Sequence, residues 1–307
     1  MSSSIRTVVI GTSVTGASDQ VVSNGLRVAR ACGAKVHLVH AFQVPLAYGG
    51  ETPYGPPLYI PEAIESRREA RLRLLAAQAA RLGIRSEEED GRTVAEGPAF
   101  LVLADTAAAA GADLIVVGAA EGWDWLKKHL GSTADRVVRR ASCPVLVTRG
   151  ELTVPPRRVL VGLDLSPISG EALQRGLELV AGMGGGPGHG GSAKALLVVE
   201  VEPLVLDTAY EAVAYARLDA EAREQLVHFI AIHCPDLLWR VTPVLRSGPS
   251  AAAEILALSD EQEADLIVMG THGRRGLPRL LLGSVAERVL RNATRSVLLV
   301  PGVRPGR

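Results

Sequence analysis

Gly270-Thr-His-Gly273, nine residues and then Gly283-Ser284 form the part of this 307-residue chain best suited to chemistry. Two glycines, a fixed gap and a third glycine followed by a hydroxyl suit a loop that wraps a phosphate chain. A glycine lets backbone come close to a ligand, or takes a positive φ that a Cβ would oppose. Asp265-Leu-Ile-Val-Met-Gly270 before the motif reads as a short buried strand, and Val285-Ala-Glu-Arg-Val-Leu-Arg291 after it as a helix. Helix N-termini present unpaired N–H groups and a positive dipole end, which favour an anion. Strand, glycine loop and helix start together point to a nucleotide-phosphate site. The plain alternative is a tight strand-to-helix connection with no ligand.

Other reactive residue types carry less. Asp164 follows an apolar run and reads equally as a ligand contact or as a turn and cap residue. Asp113 and Asp265 open corresponding strands and read as turn-forming. Gly186, Gly188 and Gly191 spell a formal GxGxxG, but the stretch leads into a strand rather than a helix, the reverse of a dinucleotide fingerprint. His37 and His40 are three apart on a strand and so face opposite ways. Cys32, Cys143 and Cys234 are far apart with no CxxC. No metal, Cys–His or Ser–His–Asp constellation emerges from these spacings.

The elements that must position the motif are written twice. Ala112-Asp-Leu-Ile-Val-Val-Gly118 recurs 152 residues later as Ala264-Asp-Leu-Ile-Val-Met-Gly270, and Gly131-Ser132 recurs as Gly283-Ser284. Near the start of each half, Val9-Ile-Gly11 matches Leu160-Val-Gly162 and Gly25-Leu26 matches Gly176-Leu177, offset by 151. The expected units are 1–150 and 157–307, joined where Gly150-Glu-Leu-Thr-Val-Pro-Pro156 breaks regular structure. Each half alternates β-like and helical runs, the pattern of βαβ units on a parallel sheet. Strands are expected in the first half near 7–11, 35–41, 84–94, 113–117 and 144–148. In the second half they are expected near 158–163, 195–201, 239–245, 265–269 and 296–300.

Composition bounds the function classes. The chain is 47% hydrophobic and 21% charged, with 33 basic and 33 acidic residues. That is a globular composition without the basic excess of a nucleic-acid binder. No apolar run reaches the roughly 18 residues of a membrane helix. The N-terminus reads as no secretory leader. With three scattered cysteines, these features lead to a cytoplasmic expectation.

The repeat and its motif resemble the universal stress protein family, in a tandem form with two such domains per chain. Gly-x2-Gly-x9-Gly-Ser/Thr is met in full at Gly270, Gly273, Gly283 and Ser284. Val161-Gly-Leu-Asp164-Leu-Ser166 and Val199-Glu-Val-Glu-Pro203 are similar to the family's first-strand turn and second-strand end. The resemblance implies an α/β fold of two Rossmann-like repeats, each a five-stranded parallel sheet in the order 3-2-1-4-5 with helices on both faces. It implies ATP, with Mg, as the ligand. Asp164 would meet the base or ribose, Met269 and Gly270 would line the ribose, and Gly273 would let backbone approach the phosphates. Gly283, Ser284 and Val285 would bind phosphate oxygens, with Arg274 and Arg275 able to add charge. Glu200 departs from the family, which usually offers an apolar contact there. The resemblance also implies pairing of the halves through their last strands, and a homodimer is compatible with it.

The first copy reads differently. Its motif is Gly118-Ala-Ala-Glu121, then nine residues to Gly131-Ser132, and Ser13 stands in the place of Asp164. Glu121 adds a negative charge where phosphates would lie. Like charges about 4 Å apart repel by about 4 kcal/mol at an effective dielectric of 20. That exceeds a helix-terminus attraction of up to about 2 kcal/mol. One competent site, in the second half, is therefore expected. Trp123 and Trp125 would fill the altered pocket or face a partner.

Three function classes stay open on the residues: an ATP-dependent regulatory or stress-response protein, a nucleotide-using enzyme, and a nucleotide-free interaction module. No general base, P-loop lysine or carboxylate pair accompanies the motif. The first class is therefore expected, with at most slow ATP hydrolysis.

Overall fold

A computed structural model of the chain describes residues 5–43, 47–48, 57–58, 61–119, 133–186, 190–200, 209–234, 241–273 and 282–302. Glu121, the Trp123–Trp125 segment, Gly131, Ser132, Arg274 and Arg275 lie outside the described residues, as do Val201–Pro203 and most of 44–60. The first half runs β1 (Thr7–Gly11), α1 (Asp19–Cys32) and β2 (Lys35–Phe42). A two-residue ribbon, β3 (Ala47–Tyr48) with β4 (Pro57–Leu58), comes next. It continues through α2 (Pro61–Arg81), β5 (Glu89–Glu96), α3 (Ala99–Ala109), β6 (Leu114–Gly118), α4 (Thr133–Arg140) and β7 (Val145–Thr148). The second half runs β8 (Arg158–Leu163), α5 (Pro167–Gly182), β9 (Ser192–Glu200), α6 (Ala209–His233), β10 (Val241–Gly248), α7 (Ala251–Glu261), β11 (Leu266–Gly270), α8 (Ser284–Asn292) and β12 (Ser296–Val300).

Ten strands form one sheet in the order β10-β9-β8-β11-β12-β7-β6-β1-β2-β5. Read from either edge towards the middle, each half has the order 3-2-1-4-5, so the α/β architecture that the family resemblance implied is the observed one. Pairing within each half is parallel. At the centre, β12 and β7 run antiparallel, with Val297 opposite Val147, Leu298 opposite Leu146 and Leu299 opposite Val145.

Strand alternation decides which face each side chain enters. Val8 and Ile10 join Val22, Leu26 and Leu75, the layer of α1 and α2, continued in the second half by Leu173 and Leu226 from α5 and α6. Val9 and Ile115 point the other way, into the layer of α3 and α4 with Leu103 and Val137, continued by Ile255 and Val289 from α7 and α8. With both faces covered, central strands such as β6, β11 and β12 are continuous apolar runs rather than alternating ones.

The repeated residues now have physical reasons. Asp113 Oδ2 accepts the N–H groups of Arg6 (2.7 Å) and Thr7 (3.1 Å), tying the start of β1 to that of β6. Asp265 Oδ2 does the same for Arg157 and Arg158, both at 2.8 Å, at the starts of β8 and β11. Both aspartates sit at the amino ends of their strands, away from the motif. Gly25 and Gly176 let α1 and α5 lie flat on the sheet, because a Cβ would overlap Ile10 and Val268 respectively.

One strand begins later than the sequence suggests. The third strand of the first half starts at Glu89, not Ile84, and a single 3-10 turn occupies Ser86–Glu88. The Glu88 carboxylate gathers the Arg30 side chain, the Arg85 guanidinium and the Arg85 N–H, which holds the chain in a turn. These donors hold its carboxyl well below the usual carboxylate range.

Candidate functional site

β8 is central in its half, flanked by β9 on one side and β11 on the other. Connections leaving β8 and β11 cross to opposite faces, which opens a crevice at the carboxyl ends of these strands. A cleft of about 680 Å³ lies there. Asp164, Met269, Gly270, Gly273, Gly283, Ser284 and Val285 all line it, so residues as far apart as 164 and 285 meet at one opening.

Asp164 follows β8. Its Oδ1 accepts the Ser166 N–H at 3.0 Å and the Ser166 hydroxyl at 2.5 Å, closing a turn. Ser166 is also the cap of α5, its Oγ accepting the Ser169 N–H at 3.2 Å. Pro167 at the first helical position reinforces that start. Between Asp164 and Ser166, Leu165 has φ 60°, and Val14 in the first half has φ 57°. Positive φ costs bulky side chains energy, and such strain gathers at functional turns. The turn and ligand-contact readings of Asp164 are therefore compatible: one oxygen closes the turn while the residue lines the cleft.

The motif glycines supply space, not unusual dihedrals; none of Gly270, Gly273 and Gly283 has a positive φ. A Cβ on Gly273 would lie 2.5 Å from Asp164 Oδ2. On Gly270 it would lie 2.9 Å from Ile168 Cγ2, and on Gly283 3.3 Å from the Thr271 carbonyl oxygen. The loop is therefore folded directly against the β8 turn. Met269, only 5% exposed, forms part of the apolar floor.

Gly283 caps α8 and offers no side-chain acceptor. Its own N–H donates to the Thr271 carbonyl at 2.8 Å, and its carbonyl accepts the Glu287 N–H at 2.8 Å. The resemblance would have Gly283 bind phosphate through its N–H, but that donor closes the loop instead. Ser284, Val285 and Ala286, whose first-turn amides have no partner within the helix, line the cleft.

The far wall joins the strand end that the resemblance picked out at Val199 and Glu200 to helix residues that no motif marked. Val198, Val199 and Glu200 end β9, Ile255 comes from α7, and Glu221 and Gln225 come from α6. Glu200 Oε1 accepts the Ala251 N–H at 2.9 Å, so this departure from the family pattern serves as a tie to the start of α7. The faces of α6 and α7 carry no fixed spacing, which is why the sequence passed over Ile255, Glu221 and Gln225.

In the first half, the turn after β1 carries a cluster of hydrogen-bonded side chains. Thr12, where the second half has Leu163, bonds Ser18 and Gln78, each at 2.8 Å. Ser13, in the place of Asp164, bonds Thr15 at 2.7 Å. Gln78, fully buried, reaches Asp19 at 2.7 Å. His40 Nδ1 lies 2.9 Å from the Thr12 carbonyl, and burial lowers the imidazole pKa, helped by the nearby Arg71 charge.

Burial pushes the Cys143 thiol up to about 12 and the Cys234 thiol up to about 11, which keeps both protonated and unreactive. No helix among the described residues is long and apolar enough to cross a membrane.

Comparison with known proteins agrees with the geometry. A universal stress protein of Mycobacterium tuberculosis is 31% identical over 203 residues, 61% of this chain and 61% of that protein. One from Methanocaldococcus jannaschii is 54% identical over 59 residues, 19% of this chain and 34% of its own. The chain thus spans less than two thirds of these relatives' lengths. Among solved structures, a universal stress protein from Archaeoglobus fulgidus superposes with a TM-score of 0.63 at 19% identity, covering 98% of this chain and 97% of that one. A Pseudomonas aeruginosa structure gives 0.63 at 17%, covering 97% and 94%. At these identities the likeness is one of fold. The universal stress protein family profile matches twice, over residues 4–149 and 156–301, so the chain belongs to that family, as a tandem of two copies.

Proposed function

We propose that this chain is an ATP-binding regulatory protein of the stress response with one competent site, in its second half. The observation that carries the reading is the cleft at the carboxyl ends of β8 and β11. In it the start of α8, which no side chain caps, shares one cleft with Asp164 and Met269, and Gly273 leaves no room for a Cβ beside Asp164. Ser284 and Val285 would hold phosphate oxygens through backbone N–H groups, aided by the helix dipole. Met269 and Gly270 would flank the ribose, and Asp164 would meet ribose or base. Mg would accompany the nucleotide and offset its charge. The units are 1–150 and 157–307, paired through β7 and β12, with the cytoplasm as the compartment.

Asymmetry between the halves is supported by the Thr12–Ser18–Gln78 cluster, whose side chains bond one another after β1, where the second half has Leu163 and Asp164 lining the cleft. The motif carries no P-loop lysine or carboxylate pair, and we read occupancy rather than turnover as the output. Calorimetric titration of nucleotide-stripped protein with Mg-ATP tests this. One site per chain, lost in Gly273→Glu, is expected. Two sites would refute the asymmetry, and absence of binding would leave a nucleotide-free interaction module.

A further inference from the structure

The helices that begin at the two motif positions, α4 and α8, are joined by a charge cluster. Arg139, in the last turn of α4, bonds Asp135 through Nε and a terminal nitrogen, both at 3.1 Å. The same guanidinium reaches Glu287 at 3.4 Å across the boundary between the halves. Glu287 also pairs with Arg291 at 2.7 Å. Asp135 and Glu287 occupy equivalent positions 152 residues apart, as do Arg139 and Arg291. The cluster is thus the repeat meeting itself.

Glu287 lies in the first turn of α8. It is three residues beyond Ser284, about 4.5 Å along the axis from the amides that face the cleft. A carboxylate there repels a phosphate chain bound at the same helix start. Two acids and two arginines cancel in the cluster, so the intact set adds no net charge beside the site. Without Arg139 it would keep one negative charge. Arg139 is 15% exposed and Glu287 26%, so solvent screens the pair less than a surface ion pair.

We infer that Arg139 of the first half is a positioning residue for the phosphate end of the second half's site: it neutralises Glu287 and lets α8 accept a polyanion. This rests on the nucleotide-site reading above. In it, the first half contributes charge to a ligand it does not touch. The dependence should therefore scale with the number of phosphates and not with the base.

The test uses the full chain, stripped of nucleotide and titrated separately with Mg-ATP and with adenosine. Arg139→Gln should weaken ATP binding by about five- to tenfold while adenosine affinity shifts less than about twofold. Arg139→Lys should recover most of the loss. Adding Glu287→Gln to Arg139→Gln should also restore ATP affinity, since the carboxylate left uncompensated is then gone. Equal losses for ATP and adenosine would mean a merely structural role and overturn the inference. Unchanged ATP binding in Arg139→Gln, or no recovery in the double variant, would overturn it too. If the unaltered chain binds no ATP, the site reading falls and takes this inference with it; binding by the unaltered chain with an indifferent Arg139→Gln removes the inference alone.

Discussion

Gly273 and Asp164 form the tightest contact of the proposed site, and one methyl group tests it. In Gly273→Ala the new Cβ meets Asp164 Oδ2, whose partner oxygen is already held by Ser166. The carboxylate must swing or the loop must lift, so ATP affinity should drop by at least about tenfold in calorimetry, as expected when groups shift by an ångström. Ser166→Ala removes both the anchor of Asp164 and the cap of α5. It should cost about 1 kcal/mol in denaturant unfolding and weaken ATP binding as well. His40 gives a pH signature. Its folded pKa is depressed, so the unfolded chain binds the proton first, and stability present above about pH 6.5 is lost as pH falls. The slope of unfolding free energy between about pH 6.5 and 5 should shrink in His40→Gln. At this scale the sequence was readable where spacing is rigid. Gly270, Gly273 and Gly283 announce themselves, whereas Glu200, Glu221 and Gln225 reach the cleft from elements whose relative placement only packing decides. The engagement of the Gly283 N–H by Thr271 was likewise invisible, because it depends on the path of the loop.

Elements were more legible than their ends. Apolar runs bounded by glycine and aspartate located the central strands, because a strand buried on both faces has little choice of residue types, while their order came from the family resemblance. The late start of β5 is a local electrostatic event: Arg30 comes from α1, and no window around Ile84 contains it. The twin glycines and aspartates give matched predictions. Gly176→Ala drives a Cβ into Val268 and should destabilise by about 1–3 kcal/mol through overpacking. Asp265→Ala leaves the Arg157 and Arg158 N–H groups without their carboxylate and should cost about 1–3 kcal/mol. Both losses are measurable by urea unfolding. Neither residue touches the cleft, so ATP affinity below the transition should stay unchanged.

Over the whole molecule, the connection between the halves is itself a packed structure. Fully buried Asn24 donates to the Gly150 carbonyl at 2.8 Å and accepts the Leu152 N–H at 3.0 Å. Arg27 pairs with Glu151 beside it, and Leu152 is 2% exposed. Asn24→Leu should strand two linker backbone groups, lower stability by about 2 kcal/mol and raise protease cleavage between 150 and 156. The punctuation Gly150–Pro156 marked this join in the sequence, but the clamp from α1 was not readable there.

The antiparallel meeting of β7 and β12 has a directional consequence. Parallel strands end their half at a single edge, and reversing one half against the other sends those edges opposite ways. The crevice lined by Asp164 and Gly273 therefore opens at one rim of the molecule, and the Thr12–Gln78 cluster sits at the other. A small molecule arriving at the first rim and a protein docking on the second would never compete for room. On the nucleotide-site proposal, the chain would then be a two-ended coupler, with a ligand at one rim and the opposite rim left clear of it.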